Sequence, residues 1–109
     1  MDEFILILIT ASGRQEAEEI AMKLIGSGLS PCINIIDHCM SIYQWKGEVR
    51  TDQEVLMLIK SRRDLFGEVE SLVEQAHSYD VPEIIALPIV EGHEPYTAWI
   101  SEMTGKVDS

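Results

Sequence analysis

The chain has 109 residues, enough for one domain with a modest core, and carries 19 acidic against 8 basic residues, a net charge of −11. That balance disfavours binding to a nucleic-acid backbone, which needs clustered Lys and Arg, and favours cations or simple solubility. The most hydrophobic run, residues 4–9, is too short for a membrane span and follows Asp2-Glu3, which excludes a signal peptide; two cysteines without a leader fit reduced thiols in the cytoplasm.

Phe4-Ile-Leu-Ile-Leu-Ile9 reads as a strand that is central in a sheet or buried on both faces. Ser12-Gly-Arg-Gln15 fits a capping box, in which the serine oxygen and the glutamine side chain each satisfy an orphan amide. Ala17, Ile20, Ala21, Leu24 and Ile25 then fall on one helical face, and Gly26 or Gly28 ends the helix. Residues 31–43 and 49–60 are both rich in Ile, Val, Met and Leu and meet at Trp45-Lys46-Gly47-Glu48, so they form one β-hairpin. Arms of about twelve residues at roughly 3.3 Å each make a ribbon of about 40 Å, while the helix before it covers about 20 Å. Half of the ribbon therefore has nothing in its own chain to lie against, and its open edges invite other chains.

Ser61 with Asp64 predicts a second helix start, with Leu65, Phe66, Val69, Leu72, Val73 and Ala76 as its apolar stripe and Glu68, Glu70 and Glu74 off it. Residues 83–89 predict a fourth strand, which Pro88 limits to a sheet edge or a bulge. Pro95 suits the first turn of a last helix at about 96–103. The order β-α-β-β-α-β plus a short C-terminal helix is the ferredoxin-like split βαβ arrangement, an α+β fold occupying residues 1–109 as a single domain. Two helices cover one sheet face, and the strands are too apolar for the other face to stay wet, so a partner subunit is expected there.

Cys32-Ile-Asn-Ile-Ile36, Ser41-Ile-Tyr43, Trp45-Lys46-Gly47-Glu48, Glu54-Val-Leu-Met-Leu-Ile-Lys60, His77-Ser-Tyr-Asp-Val-Pro-Glu-Ile84 and Ala86-Leu-Pro-Ile89 resemble the CutA divalent-cation-tolerance family. The resemblance runs from about residue 4 to residue 100. It implies a cytoplasmic homotrimer of ferredoxin-like subunits whose hairpins wrap between neighbours, similar in architecture to the PII signalling proteins. It also implies an association with divalent metals, copper foremost, and no enzymatic reaction. Copper-binding members resemble one another in a Cys at the end of the first strand and a His-His pair before a Tyr. The matching positions here are Ile9 and Ala76-His77, so only His77 is carried over.

His77, close to Tyr79, Asp80 and Glu83, is a candidate metal ligand; the alternative is a histidine capping a helix end. Cys32 matches a recurrent Cys of the family and is either a thiolate ligand or a small buried hydrophobe. His38-Cys39-Met40 offers imidazole, thiolate and thioether, all suited to Cu(I). In a regular strand Cys39 would face away from His38 and Met40, and only a bulge would change that. The family usually has a proline-glycine pair where this chain has Asp37-His38. Tyr43, Trp45, Lys46, Glu48, Lys60, Tyr79 and Glu83 form a second constellation. In a trimer they would wall an inter-subunit cleft for a small anionic or zwitterionic ligand, or else fill the interface with Lys60 and Glu83 paired. No phosphate loop, nucleophile elbow or Cys-x-x-Cys motif is present, and a Lys60, His77 and Glu83 acid-base group is the only enzymatic arrangement in view. The sequence thus leads to a trimeric divalent-cation-tolerance protein that binds copper or other divalent ions weakly. The rival is a PII-like signalling or scaffold trimer whose clefts hold a small ligand or a partner protein.

Overall fold

A computed structural model describes residues 3–104. Side-chain alternation along β1 (Phe4–Ala11) defines the two faces of the sheet: Ile5, Ile7 and Ile9 are buried, while Leu6 and Leu8 opposite them are partly covered. β1 is a central strand, with β3 (Glu48–Arg62) on one side and β4 (Ile84–Pro88) on the other; β2 (Cys32–Trp45) flanks β3, giving the order β2-β3-β1-β4 with every pairing antiparallel. This is the split βαβ order expected. β4 is an edge strand, and Pro88 stands at its end, where no ladder donor is missed.

The helices α1 (Arg14–Gly26) and α2 (Phe66–Ala76) pack on the same sheet face. Ala17, Ile20, Leu24, Val69 and Val73 close over Ile7, Ile9, Met57 and Ile59, each fully buried. Burial of such aliphatic side chains contributes roughly 1.5–3 kcal/mol each. Ile25, expected on this face, is half exposed, because the chain turns away immediately after it. Gly28 (φ +73°) takes the left-handed position, with Leu29 N–H bonding Leu24 O at 3.0 Å and Gly28 N–H bonding Ile25 O at 3.1 Å. That is a Schellman motif at Gly28, not at Gly26.

Two helix starts differ from expectation. At α1 the expected capping box does not form: Gly13 is the N-cap with no side-chain cap, and Glu16, not Gln15, accepts from Ser12 N–H at 3.1 Å and from its hydroxyl, while Gln15 reaches Glu19. Ser61 belongs to β3, buried with its hydroxyl donating to Leu29 O at 2.7 Å, and a 3-10 turn at Arg63–Leu65 leads into α2.

The third helix, α3 (Glu94–Thr104), starts earlier than expected with Pro95 in its first turn, and it lies on the opposite face. Ile100 is fully buried without joining the main core, and Tyr96 lies near the Cys32 thiol. It covers only part of that face. Ile36, Ile85 and Leu87 remain about half exposed. No helix among the described residues is long and apolar enough to cross a membrane.

The hairpin is longer than its sequence pattern suggested, with strands of 14 and 15 residues in a molecule 49 Å long. β1 stops pairing at Val55, so residues 48–54 pair with β2 alone. Lys46 (φ +51°) and Gly47 (φ +81°) make the two-residue turn between the paired residues Trp45 and Glu48, the type I′ geometry that matches strand twist. The two faces of the overhang differ. Register places Met40, Ile42 and Val49 on one face together with Gln44, Thr51 and Gln53, and Ser41, Tyr43, Trp45, Arg50, Asp52 and Glu54 on the other.

Candidate functional site

Where the ribbon leaves the body, the segment 77–83 comes alongside it and bounds a cleft of about 670 Å³. Its lining includes Thr10, Ser41, Tyr43, Trp45, Arg50, Asp52, Glu54, Tyr79, Asp80, Val81 and Glu83. Glu54 is the pivot. It is only 8% exposed and accepts the Ser41 hydroxyl at 2.6 Å and the Tyr79 hydroxyl at 2.7 Å. Asp52, two residues along, accepts the Tyr43 hydroxyl. Burial, and then the bond to Glu54, push the Tyr79 phenol well above its ordinary value; the bond to Asp52 raises that of Tyr43. Both tyrosines therefore remain hydroxyl donors at neutral pH. The carboxylates outnumber the cations, with Asp52, Glu54, Asp80 and Glu83 facing the single guanidinium of Arg50.

The segment 77–83 is fixed by His77 and Glu16. The His77 side chain is fully buried, its Nε2 lies 2.8 Å from Thr10 O, and its Nδ1 lies 3.1 Å from both Tyr79 N–H and Glu16 Oε2. Nε2 faces a carbonyl, which accepts a proton from that nitrogen, and Nδ1 stands between the Tyr79 N–H and the Glu16 carboxylate. Both ring nitrogens are thus engaged by the protein. Glu16 also accepts from Ser78 N–H at 2.7 Å and from the Ser78 hydroxyl at 3.0 Å. Burial would raise its pKa, but the bonds from Ser12 and Ser78 outweigh burial and hold the carboxyl below the ordinary value.

The other candidates are dispersed. Cys32 sits at the start of β2, partly buried, with Lys60 Nζ 3.8 Å from its sulfur; Lys60 also binds Asn34 Oδ1. The bond to the Cys32 thiol and burial raise the Tyr96 phenol. A bulge does interrupt β2 between Ile36 and Cys39, with His38 at φ +65°. It leaves the three donors apart: Cys39 pairs with Glu54, while Met40 pairs with Gln53, whose amide meets His38 Nδ1 at 3.0 Å. Arg14 ties the bulge to α1 through Asp37 at 2.5 Å. Among the described residues no three His, Cys, Asp or Glu side chains form a group able to hold a metal ion.

Of the second constellation, Tyr43, Trp45, Tyr79 and Glu83 share the cleft. Lys46 and Glu48 stand at the ribbon turn, Lys46 with its ammonium 5.8 Å from the Trp45 ring, and Lys60 lies at the far end of β3. Glu16, Asp52 and Glu54 were missed from sequence. A signal for Glu54 existed, since it is the charged residue that opens the apolar run Glu54-Val-Leu-Met-Leu-Ile. None existed for Glu16, whose role depends on a contact 62 residues away.

A family model described as CutA1 divalent ion tolerance protein matches residues 5–103. The Divalent-cation tolerance protein CutA of Thermus thermophilus is 43% identical over 100 residues, which cover 92% of this chain and 97% of that protein. Protein CutA of Mus musculus is 38% identical over 101 residues, 93% of this chain but 57% of its own length, so the chain spans little more than half of that relative. The solved Cut A1 structure from Thermus thermophilus superposes with a TM-score of 0.92 at 42% identity, covering 94% of this chain and 99% of that one. CutA1 from Oryza sativa does so with a TM-score of 0.93 at 35% identity, covering 96% of each. Sequence and fold agree over nearly the whole chain, and the protein belongs to the CutA1 divalent ion tolerance family.

Proposed function

We propose that the chain works as a cytoplasmic homotrimer in divalent-cation tolerance, without an enzymatic reaction, binding copper and other divalent ions weakly at sites that neighbouring subunits complete. The observation that carries this reading is the overhanging ribbon. One face leaves Met40, Ile42 and Val49 exposed at 67%, 66% and 76%, and its other face borders a carboxylate-rich cleft. Apolar area of that kind is covered by association, and a closed ring of copies leaves no ribbon uncovered. Membership of a divalent ion tolerance family supports the metal role. The donors Cys32, His38 and Cys39 lie apart within one subunit, so a shared site draws them from more than one copy; His77, buried with both ring nitrogens engaged, joins it only by giving up its bonds to Thr10 O and Tyr79 N–H. The two free cysteines support a reducing compartment.

Copper calorimetry on the wild type and on His77→Ala tests the assignment, with the signal expected to fall at least about ten-fold in the variant, a loss of ~1.4 kcal/mol. Unchanged binding removes His77 as a ligand. Sedimentation at micromolar concentration is expected to give three copies; a stable folded monomer refutes the assembly.

A second reading, a PII-like signalling or scaffold trimer, draws on one observation: Tyr43, Trp45, Tyr79 and Glu83 do line a common cleft. Its excess of carboxylates argues against an anionic ligand. Trp45→Ala is expected to abolish ligand binding there and leave the assembly intact.

A further inference from the structure

Cys32 and Lys60 are paired in register across β2 and β3, at the end of the ribbon away from its turn. Lys60 Nζ lies 3.8 Å from Cys32 Sγ and also donates to Asn34 Oδ1. Helix α3 of the same chain packs on β3 and brings Tyr96 near the thiol, so this part of the face has its own cover and does not wait for a partner. Cys32 nevertheless stays partly exposed, open to a molecule as small as hydrogen peroxide.

Lys60 is set apart by the groups it avoids. In a chain with 19 acidic residues, no carboxylate among the described residues lies within ion-pair distance of it, whereas Arg14, Arg50 and Arg62 each have one. Sheet pairing does not call for this arrangement, since a lysine gains more from a carboxylate directly opposite. An ammonium beside sulfur offsets the charge of a thiolate, the form in which cysteine attacks peroxides. Cys39, the other free cysteine, has the opposite setting, paired with the carboxylate of Glu54.

We propose that Cys32 and Lys60 form a reversible sulfur–nitrogen cross-link driven by peroxide. In the first step the Cys32 thiol and hydrogen peroxide give a sulfenic acid and water, sulfur losing two electrons and the peroxide gaining them. Lys60 nitrogen then bonds to that sulfur, the S–O bond breaks, the oxygen leaves as water, and the surplus ammonium proton passes to solvent. A small thiol reverses the link by attacking sulfur and releasing the amine; a second one frees Cys32 and leaves as the small-molecule disulfide. Cross-linking takes a thiol and a positive charge out of use together and pins the first residue of β2 to β3. It needs neither a bound metal nor a second subunit, so failure of those readings leaves it standing.

Treatment of the full chain with hydrogen peroxide, followed by intact-mass measurement and sequencing of digested peptides, tests it. Cys39→Ser carries the measurement, because a disulfide between the two cysteines also removes two hydrogens. Its expected product weighs two hydrogens less than the reduced chain, has the peptides of Cys32 and Lys60 joined, resists alkylation at Cys32, and returns to the starting state with dithiothreitol. Lys60→Arg keeps the charge without a primary amine; it is expected to lose the link and to leave a sulfenic acid that dimedone traps. Retention of the two-hydrogen loss in Lys60→Arg overturns the cross-link. So does a Cys32 that only gains oxygen while Lys60 is present, or one that stays free to alkylation after peroxide. A covalent dimer on a denaturing gel does so too, because it places the partner atom in another copy. Where a variant does not fold, the joined peptides of the unaltered chain decide the question, since their sequences distinguish Lys60 from Cys39 as the partner of Cys32.

Discussion

His38 occupies a backbone region that suits glycine, φ +65°, because the bulge between Ile36 and Cys39 must insert a residue without breaking the ladder. An L side chain there costs about 1–2 kcal/mol. His38→Gly is therefore expected to stabilise the protein by about 1 kcal/mol in urea unfolding, the lost bond to Gln53 being solvent-exposed and weak. Glu16 presents the opposite case, a carboxylate whose folded pKa lies below its ordinary 4.5 owing to bonds from Ser12 and Ser78 that overcome burial. Its contribution is complete above the unfolded pKa and is lost as pH falls through the folded one. Glu16→Gln is expected to cost about 1–2 kcal/mol at neutral pH. The gap from wild type should close as the denaturation midpoint is followed below about pH 4. A gap independent of pH would show that the carboxylate's charge does not matter there.

Elements follow from local chemistry where one residue controls a terminus. Gly28 ends α1 because its left-handed φ allows two chain-terminating hydrogen bonds, whereas Gly26 is an ordinary helical residue with open space around its missing Cβ. Gly28→Ala is expected to lower stability by about 1 kcal/mol. Gly26→Ala is expected to raise it by about 0.5 kcal/mol, and thermal melts of the pair separate the two roles. The sequence offered both glycines and could not choose, since the choice depends on where Leu29 turns back into the core. Similarly, a helix start near Ser12 was legible from the sequence, but the serine caps no helical amide: Gly13 is the N-cap, and Ser12 donates to Glu16, which also meets Ser78.

At the scale of the molecule, the ribbon extends the core-facing side of the sheet beyond the helices that cover it. Val55, Met57 and Ile59 lie under α1 and α2, while Val49, on the same face of the same strand, is 76% exposed. Thr51 and Gln53 stand between them on that face, so the apolar pattern thins where the helical cover ends, and Val49 is left open with Met40 and Ile42 across the ribbon. Ile42→Asp combined with Val49→Asp is expected to leave the monomer fold intact and to shift the assembly toward single copies in sedimentation, since charge on a closing surface costs several kcal/mol when buried. An unaltered oligomer would place the subunit contacts elsewhere.

Hydropathy period and turn residues were enough to determine the elements, the hairpin and its excess length, because each depends on neighbours close in sequence, and the order of those elements then admits the split βαβ fold. The candidate site was legible only in part. Tyr43, Trp45, Tyr79 and Glu83 were grouped as walls of a cleft between subunits, whereas they line one cleft within a single chain; Lys46 and Lys60 were grouped with them although one stands at the turn and the other lies against Asn34 and Cys32. What placed Glu54 beside Tyr79, and both His77 nitrogens against backbone and carboxylate, was strand register set by a bulge and a loop returning from the far side of the sheet. Such contacts join positions tens of residues apart, and a one-residue slip would reverse which face each side chain occupies. Only the tertiary structure decides that register.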